Sequence, residues 1–204
     1  LVVDDGSSDD TAARVSPALN PDIDIKLISY KPNRGKGHAV KTGFEEARGD
    51  VVMILDADMS VMPEELPRFF KLLEDGLADF VNGTRVIYPI ERAAMPLVNY
   101  AGNKIFSLIL SWIMEQRVSD TLCGTKALFI KDYKKIQMRD NSWGDFDLLF
   151  GAAKLRLKIC EMPVHYKPRL AGKSKMKVIK HGWTLFKVCC TGFRDLKLGG
   201  GQGD

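Results

Sequence analysis

Residues 51–58 read VVMILDAD. Five apolar residues follow one another without alternation, and two carboxylates close the run. A half-exposed strand alternates apolar and polar residues. An unbroken short apolar run instead indicates a strand covered on both faces. Covering both faces takes helices on both sides of a mainly parallel sheet, so this run points to an α/β fold.

The flanking chain is consistent with that. LVV at the start reads as a strand running into an Asp/Gly/Ser turn. Asp10 and Thr11 can cap a short helix through about Leu19. DIKLISY alternates and reads as a strand. KPNRGKG is a glycine-containing loop, and HAVKTGFEEA reads as a helix closed by Gly49. Pro63 can open a further helix through about Glu74. DFVNGTR is another strand. The order β-α-β-α-β-α-β predicts an α/β/α sandwich with a mainly parallel central sheet.

After Arg92 the pattern changes. Val98, Ala101, Ile105, Leu108, Ile109, Trp112 and Ile113 follow helical spacing, and Phe106, Leu110 and Met114 widen the stripe. A helix apolar over most of its surface is expected in the core, with burial in a membrane interface or against a partner as the alternative. TKALFI reads as a strand, FDLLFGAAKL as a helix, and KICEMPVHYKP as one or two strands. MKVIKHGWTLFKVCC reads as a basic amphipathic helix. One domain is expected over residues 1–194, and a flexible tail over 195–204. No apolar run reaches the roughly 18 residues that span a bilayer.

Charge is unevenly placed. The formal net charge is +4, too mild to indicate nucleic acid by itself. From Met162 to Arg194, however, there are eight Lys or Arg and no Asp or Glu. Such a stretch suits an anionic partner, phosphate or a membrane surface, or is simply a solvated basic face. Cys123, Cys160, Cys189 and Cys190 form no CxxC pair, which fits a reduced, cytosolic setting.

Three stretches carry candidate chemistry. Asp56 and Asp58 end the most apolar strand, where α/β folds place ligands. Two carboxylates one residue apart suit Mg²⁺ or Mn²⁺, whose shell is completed by phosphate oxygens and water. Asp5, with Asp9 or Asp10, ends the first strand and could accept hydrogen bonds from a nucleobase or ribose; the alternative is turn formation and helix capping. In NRGKGHAVKTG, Gly35 and Gly37 allow close backbone approach and Lys36 could reach a diphosphate. This loop has neither P-loop nor GxGxxG spacing. His38 could touch a phosphate, His165 reads as structural, and no histidine pair has the spacing of a zinc site.

The succession VDDGSSDDT, NRGKGHAVKTG, DAD, NGTR, SDTLCGTKA and RLAGKSKM resembles glycosyltransferase family 2, in the branch of dolichyl-phosphate mannose synthases and polyprenyl-phosphate glycosyltransferases. The resemblance implies a GT-A fold with one further strand ahead of Leu1. It also implies inverting transfer from a UDP- or GDP-sugar, often to a lipid phosphate at the cytosolic membrane face. Carried over, Asp5, helped by Asp9 or Asp10, would contact the donor's base or ribose, with Asp56, Asp58 and Arg85 at its diphosphate. Asp56 and Asp58 would hold the metal. Lys126, which stands where the synthases often have Arg, would meet the acceptor phosphate with Arg169, Lys173 and Lys175.

Mechanism depends on the acceptor. A lipid phosphate is already an anion and needs steering by cations. A hydroxyl of a saccharide or envelope polymer needs a carboxylate base. Asp145 and Asp147 in WGDFD are candidates, with Asp120 a third. A non-catalytic nucleotide-binding or membrane-docking module is the remaining alternative.

Overall fold

A computed structural model describes residues 1–15, 24–89, 95–139, 144–168 and 178–198, the side chains of Asp145 and of residues 178–181 excepted. Its strands are β1 (Val2–Asp5), β2 (Leu27–Tyr30), β3 (Val51–Ile54), β4 (Phe80–Thr84), β5 (Lys126–Phe129) and β6 (Ile159–Pro163). The helices are α1 (Thr11–Val15), α2 (Lys36–Glu45), α3 (Leu66–Glu74), α4 (Leu97–Met114), α5 (Ile130–Tyr133), α6 (Gly144–Lys154) and α7 (Val178–Phe193). A 3₁₀ turn, Pro63–Glu65, leads into α3, and a π-helical turn, Arg194–Leu198, extends α7. The tail expected from residue 195 therefore begins with helical backbone; residues 199–204 lie outside the described residues.

β1 and β2 pair in parallel. The other four strands form a sheet in the order β3-β5-β4-β6. β4 and β6 are parallel, and β5 runs antiparallel to both β3 and β4. Three of these four strands thus point the same way, and their C-terminal ends share one edge.

Side-chain alternation divides the core into two layers. Val52, Ile54, Phe80 and Leu128 face Phe44 of α2, Leu110 and Ile113 of α4, Leu148 and Leu149 of α6, and Leu185 of α7. Val81 and Ala127 face Phe69 and Leu73 of α3 on the other side. Phe69, Phe80, Leu110, Leu128, Leu148 and Leu149 have essentially no exposure, and each fully buried side chain of this size contributes about 1.5–3 kcal/mol. The VVMIL strand is covered less completely than its composition predicts. It lies at an edge of the four-stranded sheet, and Met53 stays partly exposed.

Helix α4 departs most from expectation. Asn103, Ser107, Leu110, Ile113 and Met114 turn inward. Leu97, Val98, Ile105, Leu108, Ile109 and Trp112 turn outward, with Leu108 at 73% exposure. The helix is apolar on two opposite faces, and the protein buries only one. It ends at Glu115, whose left-handed backbone (φ 56°) stops the hydrogen-bond ladder.

Candidate functional site

Asp56 and Asp58 follow β3 at the shared C-terminal edge. Asp56 Oδ1 lies 2.8 Å from Lys36 Nζ, and both side chains are just over one-third exposed. Gly124 completes this contact. A Cβ there would collide with Asp56 Oδ2 and with the Lys36 ammonium, so the glycine leaves room for the ends of these two side chains beside the 123–125 backbone. Asp58 Oδ1 accepts hydrogen bonds from Ser60 N at 3.0 Å and Ser60 Oγ at 2.6 Å. The backbone between them bends sharply, with Met59 at φ 55°. Lys167 N donates to Ser60 O at 2.9 Å, which brings the chain after β6 beside Asp58.

Lys36 is the first residue of α2, so the positive end of that helix also points at the site. Asp5 holds this helix start in place. Its carboxylate accepts from Arg34 N at 2.7 Å and Gly35 N at 2.8 Å, while Asn33 Nδ2 donates to Asp5 O at 2.7 Å. Gly35 has φ 92°, a backbone conformation that L side chains rarely adopt. Both Asp5 oxygens are thereby directed at the loop, so its observed role is to position the loop. α6 begins against the same helix start. A Cβ on Gly144 would stand 2.6 Å from Gly37 Cα.

Asp4 is buried beneath this loop and accepts from Ser7 N at 3.0 Å and Ser29 Oγ at 2.8 Å. Its hydrogen bonds from Ser7 and then Ser29 hold the carboxyl below its usual range. Asp9 accepts from Thr11 N and Thr11 Oγ1, and Asp10 pairs with Arg14. In the structure these two residues cap and brace α1, the reading opposed to donor contact.

The buried centre of the edge is an ion pair that sequence reasoning had divided between two roles. Arg85 Nε and Nη2 grip Asp120 at 2.7 and 2.8 Å, and Arg85 N adds a third bond at 3.0 Å. Asn103 Nδ2 and Leu122 N also donate to this carboxylate, which has no exposure. Burial opposes ionisation of Asp120, but the Arg85 charge and these hydrogen bonds outweigh it and hold the carboxyl low. Arg85, itself stacked over Tyr166 at 5.0 Å, is a strut between β4 and the 119–122 turn, not an open phosphate contact. Glu161 Oε1 accepts from Ser119 N and Asp120 N and fixes the same turn from β6.

Lys126 also lies differently from its expected role. It has no exposed surface, and its ammonium donates to the Cys123 carbonyl, beneath the Gly124 turn. Burial pushes the neighbouring Cys123 thiol up to about 11, so it stays protonated. Asp147 is buried and accepts from Arg139 N at 3.0 Å and Arg139 Nε at 2.9 Å. That seat does not suit a base. Asp145 belongs to the first turn of α6, its side chain outside the described residues; Arg169, Lys173 and Lys175 lie wholly outside them.

His165 stacks on Tyr88 with ring centroids 4.2 Å apart, and its Nδ1 is 2.8 Å from Glu65 Oε1. A cleft of about 770 Å³ lies between α6 and the π-helical turn, lined by residues including Arg139, Phe150, Lys154 and Arg194. None of the strand-end carboxylates lines it, so the chemistry belongs to the open sheet edge.

No cluster of three or more His, Cys, Asp or Glu is arranged to hold a metal among the described residues. Asp56 and Asp58 nevertheless fit Mg²⁺ or Mn²⁺, which need only one or two protein carboxylates when substrate phosphates and water supply the rest. Gly124, Asn103 and Glu161 are the site residues that sequence reading missed. Only Gly124 left a trace there, as a glycine inside a polar turn entering a core strand.

The family model described as Glycosyl transferase family 2 matches residues 1–137. The dolichyl-phosphate hexose transferase of Haloferax volcanii is 31% identical over 193 residues, 93% of this chain and 80% of that protein. The undecaprenyl-phosphate 4-deoxy-4-formamido-L-arabinose transferase of Yersinia enterocolitica is 26% identical over 187 residues, and the match takes in 53% of its length. This chain therefore spans about half of that relative. Glucosyl-3-phosphoglycerate synthase of Mycobacterium tuberculosis, solved with Mn²⁺, uridine diphosphate and glucosyl-3-phosphoglycerate, superposes with a TM-score of 0.63 at 18% identity. That match covers 95% of this chain and 67% of the synthase chain, and it shows the GT-A fold.

Proposed function

The chain belongs to glycosyltransferase family 2, and from that premise we propose that it moves a sugar from a UDP- or GDP-sugar to a polyprenyl or dolichyl phosphate, with inversion and with Mg²⁺ or Mn²⁺. The observation that carries this reading is the convergence of Lys36, Asp56 and Gly124 at one end of the sheet. Breaking the anomeric C–O bond leaves a nucleoside diphosphate, whose growing negative charge must be neutralised. The Lys36 ammonium and the α2 N-terminus are fixed donors aimed at that point. Asp56 and Asp58 would hold the divalent ion, which supplies Lewis-acid stabilisation of the same leaving group. Asp5 supports this step indirectly by holding the loop that carries Lys36.

The acceptor side supports a lipid phosphate. Such a nucleophile needs no base, and Asp147 is occupied by Arg139. The relatives from Haloferax and Yersinia are named for dolichyl and undecaprenyl phosphates. Arg169, Lys173 and Lys175 are the cations proposed to steer that phosphate. The protein would work peripherally, at the cytosolic face of a membrane.

The test is transfer of radiolabel from UDP-glucose, GDP-mannose and related donors into butanol-extractable lipid when polyprenyl phosphate is supplied. EDTA should abolish transfer and Mn²⁺ should restore it. Label appearing only on saccharide hydroxyls would overturn the lipid acceptor, and full activity in EDTA would overturn the metal.

A further inference from the structure

Three segments leave the C-terminal edge of the sheet. The 55–65 stretch carries Asp56 and Asp58 into α3, the 85–89 stretch follows β4, and the 164–168 stretch follows β6. One cluster ties them together. The His165 ring lies flat on Tyr88, with centroids 4.2 Å apart and planes 8° from parallel. Its Nδ1 stands 2.8 Å from Glu65 Oε1, and its backbone N donates to the same oxygen at 3.4 Å. Arg68 Nη1 donates to Glu65 Oε2 at 2.6 Å and to Pro163 O at 3.2 Å. Burial opposes ionisation of Glu65, but hydrogen bonds from His165 and Arg68 outweigh it and hold the carboxyl below its usual range. An ionised carboxylate only accepts, so the Nδ1 of His165 is the donor.

This cluster reaches the strand-end carboxylates through the backbone. Two residues beyond His165, Lys167 N donates to Ser60 O at 2.9 Å. Ser60 is buried, and it holds Asp58 Oδ1 through both its N and its Oγ. A continuous path of contacts therefore runs from Glu65 through His165 and the 165–167 backbone to Ser60 and Asp58. The His165 side chain is 61% exposed, and an ion pair with so exposed a partner adds little to stability. What its three contacts do fix is the course of the 164–168 backbone past Ser60.

We infer that His165 is a positioning residue for the divalent ion: held by Glu65 and Tyr88, it sets the 164–168 backbone and, through Ser60, the carboxylate of Asp58. This rests on the proposed reading of Asp56 and Asp58 as the metal pair. Mg²⁺ and Mn²⁺ sites built on few protein carboxylates depend on how those carboxylates are aimed, and groups that orient metal ligands typically change affinity by about tenfold or more.

The experiment reads Mn²⁺ itself, by electron paramagnetic resonance titration with UDP or GDP present and no acceptor. The nucleotide that gives the tighter wild-type binding is used for the variants. His165→Phe keeps a ring against Tyr88 and removes the Nδ1 donor. It should weaken Mn²⁺ binding about tenfold while melting within about 2 °C of wild type. His165→Asn carries an amide N–H at a comparable reach and should bring binding back to within about threefold of wild type. Ser60→Ala weakens the next link, and adding it to His165→Phe should deepen the loss by less than about twofold, because both act on one path. In turnover, His165→Phe should raise the Mn²⁺ concentration needed for half-maximal rate, with far less effect on the rate at saturating Mn²⁺. Wild-type Mn²⁺ affinity in His165→Phe overturns the inference and leaves the metal pair standing. Equal weakening in the Phe and Asn variants overturns it as well, since the donor is then not what acts. So do losses that multiply in the double variant, which would break the path at Ser60. Absence of Mn²⁺ binding in wild type removes the metal pair, and the inference with it.

Discussion

Asp120→Asn isolates the buried ion pair. The change removes one charge and little volume, and leaves Arg85, its side chain 12% exposed, with no counter-charge in contact among the described residues. Breaking a buried pair from one side costs about 3–5 kcal/mol, because the surviving charge stays desolvated. For a chain of this size each kcal/mol shifts melting by about 2–4 °C, so the variant should melt about 6–20 °C lower. Arg85→Gln combined with Asp120→Asn restores a neutral hydrogen-bonded pair and should recover at least about 1 kcal/mol as coupling. Acidity gives a second handle. Asp120 titrates in the fold below its ordinary value of 3.8, so its contribution is whole above that value and is lost as pH falls through the folded one. The gap between wild type and variant should therefore narrow as pH falls below that ordinary value. Asp4, also held low, changes in both proteins and cancels in the difference. Calorimetry reads all three quantities. A single variant melting within about 2 °C of wild type, or a cycle additive within about 0.5 kcal/mol, would refute the assignment of the 119–122 turn to this pair.

Asp56→Asn should lower lipid transfer by about 10²–10³ while stability moves by no more than about 0.5 kcal/mol, since the side chain is 37% exposed. Single-turnover rates beside thermal melts separate the two effects. Gly124→Ala should push the ends of Lys36 and Asp56 apart and reduce transfer at least about tenfold, with a small change in melting; a wild-type rate would dissociate the glycine from the site. Gly83→Ala should act through the fold instead: its Cβ would meet Cys123 Sγ at 2.7 Å and Thr125 O at 3.0 Å, costing about 1–3 kcal/mol in denaturant titration. Asp147→Asn should lose about 1–3 kcal/mol by weakening the Arg139 contacts while keeping transfer within about threefold. Near-complete loss of transfer would put a base at Asp147 after all.

What the sequence made legible was local, and what it hid was relational. The VVMIL run and its two carboxylates pointed to a strand and a ligand edge because burial and charge are written in adjacent residues. The reversal of β5 was invisible, because TKALFI has the same side-chain period in either direction. Arg85 and Asp120 are each plausible alone as phosphate contact and base. Only the approach of β4 to a turn 35 residues away shows that each saturates the other. Lys126 lies differently for the same reason: only the pairing of β5 with β3 and β4, which sets it between Ile54 and Asn82, shows that it has no exposed surface. Helix α4 shows the limit most clearly. A helix apolar around its circumference states that both sides avoid water, not which side the chain itself will cover. Asn103 and Ser107 settle the inner side, since buried polar groups must find partners and theirs lie at the 119–122 turn. The outer arc of Leu97, Val98, Ile105, Leu108, Ile109 and Trp112 is then defined by exclusion.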